Sequence, residues 1–430
     1  MGEISERAAI RRLNDRLGFG PVSGAPTTGF DATVARLLGP PVVAVVPPPG
    51  LTPPTAEKDP DKEKDKAAKK AANKLRAAQE LRLTSWWLDR MVSEPTATER
   101  LTWFWHGHFA TSNQKVRNAQ LMFTQNQAFR AHALGRFGDL ARAMVVDPAM
   151  IRWLDGNANG KGSPNENLGR EFLELFTLGI GHYSEVDVFE GARCLTGWTI
   201  KRGATQARFV AARHDGDAKT LFGKTGAYDA RGFADLAVAQ AASAPFVIGR
   251  LWFRLVSATP PSADAVRRLT AAYGSERDVR ALLRAMTAEA AFVDSASALV
   301  KQPVEWAVGL LRALRLQPAR LDEKTRMKLI AGLRGMGQVP FRPPSVGGWP
   351  SGGSWLTTSA GVTRLQVAQL LTHAADLDAV ASARDKPAAV QGLLGVDGWS
   401  TRTKAALAAV KDPAQLTAVA ACAPEYVVSG

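Results

Sequence analysis

Residues 163–198, SPNENLGREFLELFTLGIGHYSEVDVFEGARCLTGW, have the pattern of two short helices joined by a glycine-rich loop. Ser163 and Glu166 stand three residues apart, which is the spacing of a capping box at the start of a helix. Ser184 and Asp187 repeat that spacing after the loop. In both segments apolar side chains recur every three or four residues, so that each helix has one face to bury. The stretch therefore predicts a helical hairpin at the centre of the fold.

Most of the remaining chain has the same helical periodicity. Residues 199–212 instead alternate as a short β-hairpin would, and residues 339–358 are rich in Pro, Gly and Ser and predict a loop. We expect a mainly α protein, a multi-helix globular bundle with one small β-hairpin near residues 199–212 and long loops rich in Gly, Pro and Trp.

Outside the central stretch, one predicted helix becomes amphipathic near Leu75 and continues to Met91, and the next is opened by a capping box of Thr96 and Glu99. Further predicted helices cover residues 134–144, 233–242, 263–273, 279–292, 304–314, 323–334, 365–377 and 403–410.

The chain has 430 residues, of which 46% are hydrophobic and 22% are charged, which is the composition of a folded protein with a sizeable core. Residues 39–54 contain too many prolines for a helix and predict an extended linker. A lysine-rich segment follows it. We predict an N-terminal helical segment over residues 1–38, the linker and a solvated insertion over 39–74, and a main helical domain over 75–430.

The formal net charge of +14 and the isoelectric point near 10.0 favour polyanionic partners, although solubility alone accounts for scattered arginines equally well. The lysines of residues 57–70 are interleaved with Asp and Glu, which argues against nucleic acid. No segment has the spacing of a phosphate-binding loop, so we expect no nucleotide cofactor. The two cysteines, Cys194 and Cys422, are too few for a disulfide scaffold.

The sequence pattern predicts neither a signal peptide nor a membrane-spanning helix. The first residues lack the apolar core of a signal peptide, and no run of about 18 apolar residues could cross a bilayer. We therefore expect no membrane span and, by default, a cytoplasmic location, with export left open.

Acidic residues of the central stretch are the candidate catalytic groups: Glu171, Glu174, Asp187 and Glu190, with Glu166 as a further candidate base. Two helices that present carboxylates and histidines to each other can hold a divalent metal or form an acid and base pair with separated pKa values. The alternative is a solvated helix face, held by pairs four residues apart between Glu166, Arg170 and Glu174.

Four histidines are the candidate metal ligands: His106, His108, His182 and His214. His106 and His108 would share one face if the helix ended at Gly107 and the chain continued in an extended conformation. The alternative is a buried histidine with a backbone partner.

Several basic and aromatic residues are candidates for substrate binding. Tryptophan rings in a glycine-rich loop can stack on a sugar or a base, or they can anchor the loop to the body as an apolar plug. A basic surface with exposed tryptophan favours an anionic or glycan-like ligand. The candidates are Arg170, Lys219, Arg342, Trp349 and Trp355.

Taken together, several segments closely resemble the bacterial domain-of-unknown-function 1800 family. The resemblance implies a largely helical protein, often encoded beside a sulfatase-like or phosphatase-like neighbour and often exported. The lysine-rich insertion and the missing export signal depart from that pattern. The matching stretches are RRLNDRLGFGP from Arg11, FWHGHFATS from Phe104, the central stretch from Asn165, RHDGDAKTLFG from Arg213, KQPVEWAVGLLRAL from Lys301, PPSVGGWPSGGSWL from Pro343 and PEYV from Pro424.

Two functions follow as hypotheses. The first is a metal-dependent, hydrolytic enzyme in which a bound divalent ion lowers the pKa of a water molecule and so supplies a nucleophile. The second is a non-catalytic protein that binds a partner enzyme or a polyanion, with the central stretch acting as a structural network.

Overall fold

The structure of the protein is a computed structural model, which describes residues 3–21, 29–42, 44–48, 50–51, 66–201 and 203–429. Helices account for most of this part of the chain, and the strands form only short two-stranded pairs. The predicted mainly α fold is confirmed.

The N-terminal half consists of ten helices in the described residues. They are α1 (Glu6–Leu17), α2 (Phe30–Leu37), α3 (Lys66–Ser93), α4 (Thr98–His108), α5 (Asn113–Val116), α6 (Ala119–Ala131), α7 (Phe137–Met144), α8 (Pro148–Trp153), α9 (Glu166–Glu171) and α10 (Glu185–Cys194).

The C-terminal half adds thirteen helices within the described part. They are α11 (Ala230–Ala239), α12 (Ser243–Leu255), α13 (Ala263–Tyr273), α14 (Val279–Ala288), α15 (Ala290–Val293), α16 (Pro303–Ala313), α17 (Glu323–Gly335), α18 (Thr358–Thr372), α19 (Asp378–Ala381), α20 (Lys386–Leu394), α21 (Thr401–Ala408), α22 (Pro413–Ala421) and α23 (Pro424–Val427).

The helices predicted from periodicity are present, but several differ from the prediction. Helix α18 covers Thr358–Thr372 where residues 365–377 were predicted. Helix α4 begins after Ala97 without a side-chain cap, so the capping box expected at Thr96 and Glu99 is wrong.

The predicted helix over residues 279–292 is two helices, because Glu289 between α14 and α15 has extended backbone angles. Four of the longer helices, α6, α12, α20 and α22, were not predicted. Helix α12 carries Pro245 in its first turn, where the missing backbone N–H costs no helical hydrogen bond.

The strands are β1 (Trp198–Thr199), β2 (Arg208–Phe209), β3 (Lys219–Leu221), β4 (Lys224–Gly226), β5 (Leu299–Val300) and β6 (Val428–Ser429). β1 pairs with β2, β3 with β4, and β5 with β6, each antiparallel. The first pair confirms the hairpin predicted near residues 199–212. Residues 339–358 form the predicted loop, with one 3₁₀ turn at Gly352–Trp355.

The central stretch folds as a helical hairpin, but its first helix begins later than predicted. Asn165 caps α9 by accepting a hydrogen bond from the backbone N–H of Asn167, so the capping box expected at Ser163 is wrong. The box at Ser184 and Asp187 is confirmed at the start of α10. Helix α9 continues into a π-helical turn at Phe172–Thr177.

Helix α3 crosses the boundary predicted at residue 75. It runs without a break from Lys66, and its burial begins at Gln79. Residues 52–65, which hold the start of the predicted insertion, lie outside the described residues, and the division into three units stays a prediction.

Apolar side chains form two core clusters, and α4 contributes to both. Trp105 and Phe109 belong to the cluster around α7, α9, α11 and α12. Trp103 belongs to the cluster around α3, α16, α17 and α18. Both histidines of α4 are therefore held between the two cores, with His106 1% and His108 2% exposed.

Within the described ranges, no single helix has the length and apolar character to cross a membrane. Helices α11 and α12 reach that threshold only as a pair, and they are bent by 78° at their junction.

Candidate functional site

Two of the predicted catalytic acids, Asp187 and Glu190, form hydrogen bonds and ion pairs with residues around α10. Asp187 closes the capping box with Ser184 and also accepts a hydrogen bond of 2.6 Å from the backbone N–H of Phe222. Glu190 pairs with Arg193 within α10 at 2.8 Å and also accepts a hydrogen bond of 3.2 Å from the backbone N–H of Thr220. Both carboxylates therefore fasten α10 to adjacent chain.

Arg170, a predicted substrate ligand, forms ion pairs across the hairpin. It contacts Glu185 at 2.7 Å and Glu166 at 3.0 Å. The hydrogen bond to Glu185, followed by that to Glu166, raises the pKa of the Arg170 guanidinium. Arg170 thus ties the start of α10 to α9.

Glu171 and Glu174 are the acids of the hairpin whose charges influence each other. Partial burial, and then the neighbouring charge of Glu174, raise the pKa of Glu171 above its ordinary value. Glu174 accepts a hydrogen bond of 2.6 Å from the Tyr183 hydroxyl. Burial and this hydrogen bond raise the pKa of Tyr183 to about 12.

The loop after the hairpin holds His214 and Lys219 by local contacts. The Nδ1 atom of His214 lies 3.0 Å from the carbonyl oxygen of Thr196. Lys219 is buried and donates to the carbonyl oxygens of Asp215, at 2.6 Å, and Asp217, at 3.0 Å. These contacts stabilise the turn that leads into β3.

The predicted metal ligands are not brought together. His182 is exposed in the hairpin loop, and His106 and His108 are buried on α4. Among the residues that the structure describes, no three His, Cys, Asp or Glu side chains gather as a metal site would require. A metal centre stays a prediction from the sequence.

Two further predicted ligands, Arg342 and Trp355, lie apart from the hairpin. The Nη2 atom of Arg342 contacts the Glu80 carboxylate on α3 at 2.8 Å. Trp355 is 3% exposed and lies in the second core cluster. Its environment is that of the apolar anchor considered in the sequence analysis.

His106 is a buried acceptor. Its Nε2 atom accepts a hydrogen bond of 3.0 Å from the backbone N–H of Phe341, so the ring proton is on Nδ1. Burial lowers the pKa of His106 to about 3. The side chain is therefore neutral and fixes the long loop to α4.

His108 has the opposite arrangement. Its Nε2 atom lies 2.8 Å from the carbonyl oxygen of Phe176, which can only accept, so Nε2 carries the proton. Its Nδ1 atom is buried and has no hydrogen-bond partner in the described residues. Burial, followed by the positive charge of Arg250, lowers the pKa of His108 to about 3. His108 therefore keeps one free acceptor.

The loop that carries Trp349 lies directly on α4. Gly348 has φ +81°, and a Cβ there would lie 2.1 Å from the carbonyl oxygen of Gly107. Trp349 stacks on Trp103 with ring centroids 4.7 Å apart. Arg254 on α12 holds the same loop by donating to the carbonyl oxygen of Trp349 at 2.7 Å.

These contacts enclose a cleft, which we call the arginine cleft. Its inner end lies between α4, α12, the start of α16 and the Trp349 loop, and has about 360 Å³ of empty space including its mouth. A wider outer chamber of about 1090 Å³, also counted with its mouth, shares Arg100, Arg254 and Gln302 with the inner end. The residues that line the inner end are Arg100, Trp103, Phe104, Gly107, His108, Arg250, Arg254, Gln302 and Trp349.

The charges of the arginine cleft do not balance. Its described walls carry five cations, Arg16, Arg100, Arg250, Arg254 and Lys301, against only two carboxylates, Asp15 and Glu305. The cleft thus has the electrostatic character of an anion-binding site.

Both carboxylates are already engaged. Glu305 contacts Arg100 at 2.8 Å, and Asp15 contacts Lys301 at 3.1 Å.

Three of these cations, Arg16, Arg250 and Arg254, form no ion pair with a carboxylate of the described residues. Arg16 and Arg254 donate to backbone carbonyl oxygens, whereas Arg250 has no hydrogen bond to any described residue. Burial lowers the pKa of the Arg250 guanidinium. In Arg254, burial is also the largest cause, and lowers the pKa to about 10. A bound anion would stabilise the charged form of both guanidinium groups.

Of the residues that line the inner end of this cleft, only His108 and Trp349 were predicted from the sequence as site residues. A signal for the arginines was present, because Arg250 and Arg254 are four residues apart on an otherwise apolar helix and so share one face. Arg100 lies two turns before His108 on the same face of α4. The sequence pattern did not indicate that α4 and α12 come together at one cavity.

Comparison with protein families matches residues 12–428 to a family described as "Protein of unknown function (DUF1800)". Comparison with curated proteins finds no match, and comparison with solved structures finds none either. The matched span includes both the arginine cleft and the central hairpin.

Proposed function

Because the chain belongs to the DUF1800 family, whose description assigns no activity, we propose a function from geometry: the arginine cleft binds a small oxyanion or an oxyanion-bearing ligand. Phosphate, sulfate and carboxylate groups are the chemical class that clustered guanidinium groups recognise. This proposal refines the anionic ligand expected from the basic sequence.

The observation that carries the proposal is the guanidinium of Arg250, which has no counter-ion among the described residues. A partly buried charge without a counter-ion raises the free energy of the folded protein, and an anion within reach lowers it again. Arg100 is already paired with Glu305, and Arg254 donates to the backbone of the Trp349 loop. Of the three arginines at the inner end, Arg250 is therefore the one without a partner among the described residues.

Neutral groups of the inner end support the same function. Trp349 lines the inner end, and its Nε1 donor is buried without a partner in the described residues. His108 lines it as well and keeps its Nδ1 acceptor free. Buried polar atoms are usually hydrogen-bonded, so unpaired atoms beside a cavity indicate a site for a polar ligand.

Titration calorimetry with inorganic phosphate at low ionic strength tests the proposal. We expect the wild-type protein to bind phosphate. We expect Arg250→Met to bind it at least about tenfold more weakly, since a hydrogen bond to a charged group contributes about 1.5–3 kcal/mol. Arg334→Met, an exposed arginine on α17, is the matched control and keeps the wild-type affinity. Failure of the wild-type protein to bind, or unchanged binding by Arg250→Met, overturns the proposal.

Metal-dependent hydrolysis is a separate proposal. It rests on Glu171 and Glu174, because partial burial and the charge of Glu174 raise the pKa of Glu171. Elemental analysis of the purified wild-type protein and of Glu171→Ala tests it: a stoichiometric metal that the variant loses supports a metal site there. The two proposals are independent, because Glu171→Ala leaves every group of the arginine cleft in place and keeps the phosphate affinity.

A further inference from the structure

The two ring nitrogens of His108 differ in their hydrogen bonding: Nε2 is a donor and Nδ1 is an acceptor. Nε2 donates to the carbonyl oxygen of Phe176 at 2.8 Å, and this bond assigns the proton to Nε2. Nδ1 then carries a lone pair and can only accept. It has no partner among the described residues, although the ring lines the inner end of the arginine cleft.

A carbonyl group of the π-helical turn in the central hairpin determines this tautomer, because it can only accept a hydrogen bond from the His108 ring. Phe176 lies in the last turn of Phe172–Thr177, where carbonyl groups lose their helical partners. His108 satisfies one of these carbonyls from α4. The central stretch thus contributes to the cleft by positioning His108. The carboxylates of the central stretch contact other residues.

The unpaired polar atoms of the inner end form a mixed set. Trp349 supplies a buried neutral donor and His108 a buried acceptor, and Arg250, which has no ion pair among the described residues, supplies a charged donor on the same wall. A ligand that satisfies all three must accept hydrogen bonds through anionic oxygens and also donate one. Hydrogen phosphate has both features, because one of its oxygens carries a hydrogen. Sulfate has the same tetrahedral shape but no hydrogen to donate.

We propose that the inner end of the arginine cleft selects hydrogen phosphate over sulfate, with the phosphate hydroxyl donating to Nδ1 of His108 and an anionic oxygen accepting from Arg250. This inference rests on the proposed function and adds a specificity-determining residue to it. A sulfate oxygen in place of the hydroxyl faces the Nδ1 lone pair, so that two acceptors meet without a hydrogen between them. A buried acceptor left unpaired in this way strongly disfavours the analogue that lacks the donor.

Calorimetric titration with phosphate and with sulfate at about pH 8 compares two dianions of equal charge, since phosphate has lost its second proton there. We expect the wild-type protein to bind phosphate at least about tenfold more tightly than sulfate. His108→Gln keeps an amide donor near Phe176 but has no acceptor at the Nδ1 position, and we expect the preference to fall to within about threefold. His373→Gln, at an exposed histidine that ends α18, is the matched control and retains the preference.

Nitrogen NMR of the wild-type protein provides a readout that needs no variant. A hydrogen bond to Nδ1 shifts its resonance, so phosphate moves the Nδ1 signal of His108 and sulfate does not.

The outcomes separate the two proposals. Equal affinity for phosphate and sulfate, with both lost in Arg250→Met, leaves anion binding intact and overturns the selectivity. No binding of either anion by the wild-type protein overturns anion binding and the selectivity together. A preference for phosphate that survives in His108→Gln overturns the role of His108.

Discussion

His106 and His108, two residues apart at the end of α4, carry their ring protons on opposite nitrogens. The Nε2 atom of His106 accepts from the backbone N–H of Phe341, whereas the Nε2 atom of His108 donates to the carbonyl oxygen of Phe176. One helix end is thereby joined to the long loop on one side and to the central hairpin on the other. The arginine cleft lies between these two attachments.

The opposite tautomers are directly measurable. In nitrogen NMR spectra at about pH 6, we expect His106 with a protonated Nδ1 and His108 with a protonated Nε2, and both rings neutral, because a buried imidazole loses the hydration that stabilises its charge. Spectra recorded down to about pH 4 should show neither ring titrating. The same tautomer for both histidines would contradict the hydrogen bonding described.

Burial of His106 also makes the stability depend on pH. Its pKa is about 3 in the folded protein and about 6.5 when unfolded, so between these values the unfolded chain binds a proton that the folded protein does not. The stabilisation from the neutral ring is therefore complete above about pH 6.5 and is lost as the pH falls.

Between about pH 7 and pH 5 this contribution amounts to about 2 kcal/mol. His106→Gln keeps an acceptor for Phe341 but does not titrate. Chemical denaturation should therefore show that its free energy of unfolding falls by about 2 kcal/mol less than that of the wild-type protein over this interval. Equal losses would mean that His106 is protonated in the folded state.

Gly348→Ala should displace the loop that carries Trp349. The position has φ +81° and lies against the backbone of Gly107, so an added methyl group meets both backbone strain and a steric clash. We expect the free energy of unfolding to fall by about 2 kcal/mol or more, measured by chemical denaturation. Gly353→Ala is the matched control in the same loop, because its Cβ would meet nothing within 4 Å. Similar losses for the two variants would count against the close packing of the loop on α4.

Glu99→Gln should disrupt a buried ion network. The Glu99 carboxylate is fully buried and accepts hydrogen bonds from Arg90 at 2.9 Å, Trp87 at 2.8 Å and Arg130. Its neutral replacement leaves two buried guanidinium groups without a counter-charge, which costs about 3–5 kcal/mol of unfolding free energy.

The control for this variant is Glu276→Gln, which removes an exposed pair with Arg136 and should change the stability by less than about 1 kcal/mol. A loss below about 1 kcal/mol in Glu99→Gln as well would mean that the network is hydrated.

Local rules of the sequence determined much of the fold. Helical periodicity predicted α13 and α17 to within a residue, and the capping box at Ser184 and Asp187 set the start of α10. The box expected at Ser163 failed, because capping spacing alone does not decide which of several neighbouring polar residues takes the cap. Asn165 lies one residue before the helix and takes it.

The position and composition of the candidate site, the arginine cleft, depend on the tertiary structure. The sequence marked the carboxylates of the central stretch, but Asp187 and Glu190 are used in local contacts, and the stretch acts on the cleft through the backbone carbonyl of Phe176. Arg100 and Arg250 reach one cavity from helices that are far apart in the chain. A sequence shows which residues are charged, whereas which charges remain unpaired depends on packing between residues far apart in the chain. Among the described residues, that packing leaves Arg250 without a counter-ion.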